Sequence, residues 1–290
     1  MLGVTGPNEY ENNVNNNWYT NKMASWTLSY TMEELAHLKN EDGASFDLLR
    51  EKTGLKLEEE TEAWKDIVEN LHFPYEENLK VFLQQDGFMD KEQLMAADMD
   101  PAERPINQHW SWDRILRSCF IKQADVLQGI YVFEDEFDRE TIVRNFDFYE
   151  ARTVHESSLS PCVHAILANR IGRSEKAYEM YLRTSRLDLD DYNNEVDEGL
   201  HITSMGGTWM SVVHGFGGMM IKDELLSFEP NLPEGWKALS FKILYRGRTL
   251  KVHIEKKKVS ITNLEGEGVN LYLAGSRVHL EQAGTVFAEL

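Results

Sequence analysis

The hydrophobic period changes once along this chain, and that change limits what it can fold into. Up to residue 222 the apolar residues recur at helical spacing, and after residue 236 they alternate with polar ones. Trp18 to Leu38, Leu57 to Leu71, Glu76 to Gln85, Asp113 to Phe133, Arg139 to Ala151, Pro161 to Ile171, Ser174 to Thr184 and Trp209 to Met220 read as helices. Ser174 reads as an N-cap, and Gly172 ends the helix before it. In the last part, Leu250, Val252 and Ile254 alternate with Lys251, His253 and Glu255. Val259 with Ile261, and Val269 with Leu271 and Leu273, repeat the pattern, and glycines at 247, 266, 268, 275 and 284 mark turns between the runs. The expected organisation is a helical unit over 1–222, a linker over 223–236 and a small antiparallel β domain over 237–290. The fold class is mainly α. Two long connections, Gly87 to Trp112 and Leu187 to Gly207, are of a length that usually carries function.

Charge follows the same division. Residues 223–290 hold 9 basic and 9 acidic side chains, so the first 222 residues, with 21 and 40, carry the whole net charge of −19. Such a balance excludes nucleic acid as a partner and disfavours an anionic membrane face. It leaves room for a small anion at one locally positive site. Cys119 and Cys162 both fall in apolar helical patterns, which points to buried free thiols. No apolar run reaches membrane-spanning length and no signal peptide is visible, so a cytoplasmic setting is expected.

Three segments carry residues that core packing does not call for. Gly6-Pro7-Asn8 reads as a tight turn that presents Glu9 among asparagine amides and aromatics. A carboxylic acid in such surroundings suits general acid catalysis; the plainer reading is an Asn-rich surface loop with helix caps. The Asp113 to Phe133 run has apolar stripes on two sides, with Lys122 on one of them. Its ammonium needs a partner there, either Asp125 or a carboxylate on another helix, or else Lys122 and Gln123 reach into a polar cavity. In Gly199 to Trp209, small hydroxyl residues and Gly206-Gly207 lead into the last helix. A helix start of that kind suits an anion, and His201 adds a further donor, although Thr and Ser before a helix are mostly caps. The His155 to Pro161 segment starts another helix, with capping as the default role for its serines and His155 and Glu156 able to face a site. No metal-spaced His/Cys cluster, phosphate-binding Gly-Lys-Ser/Thr loop or Gly-x-Ser-x-Gly elbow is present.

Taken together, Gly6-Pro7-Asn8-Glu9-Tyr10 with its Asn-rich continuation, Ile121-Lys122-Gln123-Ala124-Asp125-Val126, and His201-Ile202-Thr203-Ser204-Met205-Gly206-Gly207 resemble signatures of glycoside hydrolase family 65, in that family's order. Leu232 to Trp236 resembles its interdomain linker. The resemblance implies the C-terminal portion of an (α/α)6 barrel followed by a β-sandwich. It implies Glu9 as general acid, Lys122 and Gln123 as sugar ligands, and His201, Thr203, Ser204 and Gly206 as a phosphate cradle. The implied reaction is inverting phosphorolysis of an α-glucoside disaccharide, with maltose the leading substrate and trehalose, kojibiose or nigerose as alternatives. A hydrolase of the same fold is the rival class. No cofactor or metal is implied; inorganic phosphate is the co-substrate, and a homodimer is expected of the full-length enzyme. About half the barrel's helices have no counterpart here, so the chain reads as the C-terminal part of a longer enzyme, inactive by itself.

Overall fold

The computed structural model describes residues 1–192 and 194–290. Helices α1 (Trp18–Glu41), α2 (Gly43–Thr53) and α3 (Leu57–Asn70) are followed by a two-stranded hairpin, β1 (Tyr75–Glu76) and β2 (Val81–Phe82). Short helices α4 (Ile106–His109), α5 (Trp112–Arg117) and α6 (Val126–Val132) lead to α7 (Arg139–Glu150), α8 (Pro161–Arg170), α9 (Ser174–Ser185), α10 (Leu187–Asp190) and α11 (Ile202–Met210). A π-helical turn, Ser211–Phe216, ends the helical part.

The helices gather around α8. Nine of its ten residues, Pro161 to Asn169, are buried, and α6, α7, α9, α11 and the π turn all pack on it. A helix apolar on most sides calls for such surroundings. Close approach between α1 and α6 depends on Gly129, where a Cβ would run into the Trp18 ring.

Two four-stranded sheets form the remainder. One has the order β10-β7-β6-β5, from β5 (Ala238–Tyr245), β6 (Arg248–Glu255), β7 (Lys258–Glu265) and β10 (Thr285–Glu289); its pairs are antiparallel. The other has the order β3-β4-β8-β9, from β3 (Met219–Lys222), β4 (Leu225–Phe228), β8 (Val269–Leu273) and β9 (Ser276–Leu280), and its β4–β8 pair is parallel. The alternation seen in the sequence is real burial: Leu250, Val252, Ile254, Val259, Ile261, Leu271 and Leu273 are fully inside. The helical part and the sheets are joined by a reciprocal amide contact, Asn169 Nδ2 to the Asn231 carbonyl (3.2 Å) and Asn231 Nδ2 to Asn169 Oδ1 (2.9 Å). Trp236 adds edge contacts to Phe216 and Tyr181.

Four expectations from periodicity are corrected. Glu76 to Gln85 is the β1–β2 hairpin and its continuation rather than a helix. The Phe82 N–H goes to Asn145 Oδ1 and the Phe82 carbonyl accepts from the Tyr149 hydroxyl, so partners on α7 capture that backbone. The Asp113 to Phe133 helix is broken at residues 118–125. There the chain runs beside two neighbours, with Cys119 N–H on the Glu92 carbonyl and Ile121 bonded to Arg152 and Val154. Its apolar stripes report burial of Cys119, Phe120, Ile121 and Ala124, but as an extended segment, so Cys119 is buried outside any helix. The last helix begins at Ile202 instead of Trp209, and its expected end is strand β3. The C-terminal sheets thus recruit strands from 219–228, a stretch read as helix end and linker. Ser174 is the first residue of α9, with Arg173 at the cap position, while Gly172 does end α8, at φ +83°. Helix α2 was not anticipated.

No helix among the described residues is long and apolar enough to cross a membrane. Leu200, Ile202, Met205 and Trp209 are nevertheless exposed, the last three along one face of α11, and Trp26 and Tyr30 are exposed on α1. Contiguous apolar surface of this kind marks an interface. The isolated chain is therefore expected to self-associate, and replacing Ile202 and Met205 by Lys should reduce that association without lowering the melting temperature. Light scattering across a concentration series measures this; a monodisperse wild-type monomer would contradict it.

Candidate active site

The N-terminal segment is a folded loop closed by Val4–Val14 pairing. Asn8 and Asn17 are buried connectors, whereas Asn12, Asn13 and Asn15 stay exposed and Asn17 caps α1, so the plainer reading of an Asn-rich loop with helix caps holds in part. Asn8 is buried. Its Oδ1 accepts the N–H of Tyr10 (3.2 Å) and of Lys122 (3.0 Å), and its own N–H donates to Asp125 Oδ2 (3.1 Å). Asn17 caps α1 through Thr20 N–H (2.8 Å) and donates Nδ2 to Asp125 Oδ1 (3.0 Å). Asp125 is thus the post to which the turn, the first helix and the Lys122 segment are tied. Gly6 is needed because a Cβ there would overlap both Asn17 Nδ2 and Asp125 Oδ2.

This arrangement brings Glu9, Lys122 and Gln123 together. Lys122 Nζ lies 2.6 Å from Glu9 Oε2, and Gln123 Nε2 donates to the Pro7 carbonyl at 2.8 Å. The partner of Lys122 is therefore Glu9 and not Asp125. The Lys122 hydrogen bond holds the Glu9 carboxyl below its usual range, against a smaller opposing effect of burial. Glu9 is 57% exposed, so it faces open space that a substrate could occupy. Gln123 Oε1 is buried with no partner.

Two hydrogen bonds connect this cluster to the start of α11. Tyr10 donates its hydroxyl to Glu156 Oε2 (2.8 Å), and two residues on, Ser158 Oγ meets Thr203 Oγ1 (2.7 Å). Glu156 is buried and also receives the Ile106 N–H (2.9 Å) and Arg104 Nε (3.3 Å). Glu156, which the sequence allowed to face a site, and Ser158, read there as a cap, are the residues that join the two regions. Their one sequence signal was His155-Glu156 standing ahead of the serines.

The 201–206 segment is built differently from the expected loop. Thr203, Ser204 and Gly206 lie within α11 itself. Thr203 points toward Ser158, and Gly206 is exposed. Ser204 is buried and donates its hydroxyl to the Thr184 carbonyl at 2.6 Å, so that proton is already committed. His201 is held by Asp188, with Nδ1 2.5 Å from Oδ1 and its N–H 3.0 Å from Oδ2, and Glu195 Oε2 lies 3.7 Å from Nε2.

A third cluster lies beneath. Glu150, His155 and His164 place one ligand atom each within 4.8 Å of one another, a set the sequence spacing did not show. They could hold a cation, but Glu150 already contacts both imidazoles and Lys176. Burial opposes ionisation of Glu150, yet the two histidines outweigh it and hold the carboxyl far below its usual range. Burial, together with neighbouring His164, pushes His155 down to about 4. His155 sits at φ +55°, where a non-glycine residue is strained.

Two outcomes follow from the Asp125 anchor. Gly6→Ala should destabilise the fold by about 1 to 3 kcal/mol, the usual cost of forcing an extra carbon into a packed site, measured by urea unfolding. Burial pushes Asp125 up to about 7, against the Asn8 and Asn17 donors, whereas an unfolded Asp titrates near ~3.9. The folded state thus holds this proton more tightly, and the stability it contributes is lost as pH rises from about 4 through 7. Comparing melting temperature against pH for wild type and Asp125→Asn should show a shallower decline in the variant over that window.

Comparison with known proteins identifies the family. The Glycosyl hydrolase family 65 central catalytic domain matches residues 1–210, and the Glycosyl hydrolase family 65, C-terminal domain matches residues 219–280. The chain is 53% identical to the maltose phosphorylase of Bacillus subtilis (strain 168), over 93% of this chain and 34% of that protein. It is 40% identical to the alpha,alpha-trehalose phosphorylase of Thermoanaerobacter brockii, over 96% of this chain and 36% of the relative. A solved structure described as a putative kojibiose phosphorylase from human microbiome superposes with a TM-score of 0.89 at 35% identity, covering all of this chain and 39% of the other. The chain thus spans about a third of the curated relatives it matches. The fold is the C-terminal portion of an (α/α)6 barrel followed by a small β-sandwich, and the chain belongs to glycoside hydrolase family 65.

Proposed function

We propose that this chain supplies the acid and the sugar contacts of an inverting disaccharide phosphorylase, with maltose as substrate. The observation that carries the reading is the Glu9–Lys122 pair at 2.6 Å, set on the buried Asp125 anchor and open to solvent on the Glu9 side. Glu9 donates its proton to the glycosidic oxygen as the bond to the anomeric carbon breaks. Phosphate attacks that carbon from the opposite face, giving a free sugar and β-glucose 1-phosphate. Inverting hydrolysis needs a second carboxylate to activate water, whereas phosphate is already a nucleophile. Thr203 and the start of α11 lie on the hydrogen-bonded path from Tyr10 and are the part of the 201–206 segment best placed to meet it.

The pair also gates the acid. With no sugar bound, Lys122 keeps Glu9 ionised. A sugar hydroxyl that accepts from Lys122 withdraws the ammonium and lets Glu9 hold the proton it must deliver. Maltose is preferred because identity to the maltose phosphorylase relative, at 53%, exceeds the 40% to a trehalose enzyme and 37% to the kojibiose phosphorylase of Halothermothrix orenii. Activity is proposed for the chain together with the remainder of such a catalytic domain.

A chimaera tests this, with these residues replacing the matching third of the Bacillus subtilis relative. It should release β-glucose 1-phosphate from maltose only with phosphate present, and Glu9→Gln should lower turnover by roughly 100-fold to 10,000-fold. Equal glucose release without phosphate would establish the hydrolase; faster turnover of trehalose or kojibiose would displace maltose.

A further inference from the structure

Arg183, on α9, lies over the Tyr192 ring, 5.6 Å to its centroid, with no salt-bridge partner among the described residues. It forms no ion pair with any described carboxylate, whereas Arg104, Arg170, Arg173 and Arg186 each do. One nitrogen donates to the His155 carbonyl at 2.9 Å, and Nε is buried with no partner. Burial, and then the neighbouring Arg104, holds the guanidinium below its ordinary value. Buried charges are normally paired, because an unpaired one costs several kcal/mol of lost hydration. Both arginines line a polar cavity of about 250 Å³ together with Glu156, Tyr192 and Asn194. Glu156 does not balance the pair, since it is already engaged by the Tyr10 hydroxyl, the Ile106 N–H and Arg104. A net positive cavity in a chain of net charge −19 is a local exception.

We infer that the Arg104–Arg183 cavity is an anion site for a phosphate group, either inorganic phosphate or the phosphate of a sugar phosphate, built from residues other than His201–Gly206. Guanidinium forks suit phosphate oxygens. Asn194 in the wall brings a neutral amide donor, while Tyr192, its hydroxyl hydrogen-bonded to Asp190, offers its ring face to the Arg183 guanidinium. The charge argument stands without the proposed reaction; only the choice of phosphate over other oxyanions rests on that reading.

The test is isothermal titration of the full chain with inorganic phosphate and, separately, with glucose 1-phosphate. Arg183→Gln should weaken binding by about tenfold or more, the scale of one lost charge-assisted hydrogen bond. Arg183→Lys, which keeps the charge but not the fork, should lose less, and Lys251→Gln, exposed on β6 and outside both candidate regions, should bind as wild type. Circular dichroism and melting temperature verify that each variant is folded. Binding of glucose 1-phosphate alone, lost in Arg183→Gln, would identify the sugar phosphate as ligand. Wild-type binding by Arg183→Gln, or no saturable binding of either ligand, overturns the inference. Loss in Thr203→Val with Arg183→Gln intact also overturns it, by placing the anion on α11. None of these outcomes decides the phosphorolysis reading, which rests on the chimaera.

Discussion

The carboxylate of Asp125 is the fixed point of this structure. It lies inside the protein, where an ion is costly unless donors surround it, and the donors come from segments far apart in sequence: the Asn8 N–H and the Asn17 amide, 117 and 108 residues away. Because Asn17 also caps α1, the same contact fixes where the first helix starts. Because Asn8 also accepts the Lys122 N–H, it fixes where Lys122 sits relative to Glu9. The acid, its partner lysine and the first helix are thus placed by one buried hub.

From that hub the site extends as a chain of hydrogen bonds and not as a single pocket. Glu9 and Lys122 form the exposed end. Tyr10 carries the connection inward to Glu156, and Ser158 carries it to Thr203 on α11. The left-handed backbone at His155, with its ring on Ser160 Oγ at 2.8 Å, sets the turn from which Glu156 and Ser158 project. Buried polar networks of this sort rigidify when every member is satisfied. Two of the buried polar atoms left without a partner, Gln123 Oε1 and Arg183 Nε, lie next to the places where a sugar and an anion are proposed to bind.

The helical part is organised around α8, whose burial on nearly every side contrasts with the open faces of α1 and α11. A barrel built of helix pairs buries each helix between neighbours, and helices with one bare flank are what a portion of such a barrel leaves. The chain's span of about a third of its relatives is in keeping with this. The buried residues of the β-sandwich, Leu250 to Leu280, belong to the same continuous hydrophobic core as the helices.

By itself the sequence determined the two-part fold, the boundaries of α1, α3, α7, α8 and α9 to within a few residues, the alternating core of the β domain, and the three segments from which the candidate site is drawn. These follow from local periodicity and from residue types that packing does not require, and both are written along the chain. The tertiary structure alone decided where periodicity misleads. The 118–125 run is apolar on two sides because it is buried, and it is extended because Glu92, Arg152, Val154 and Asn8 supply its backbone partners. Residues 219–228 became strands because β8 offers a free edge. The partner of Lys122, the inward turn of Ser204, the clamp on His201, and the roles of Asp125, Glu156 and Arg183 depend equally on neighbours distant in sequence. A hydrogen bond or ion pair between residues a hundred positions apart leaves no local pattern, since each side chain is unremarkable until the fold supplies the other.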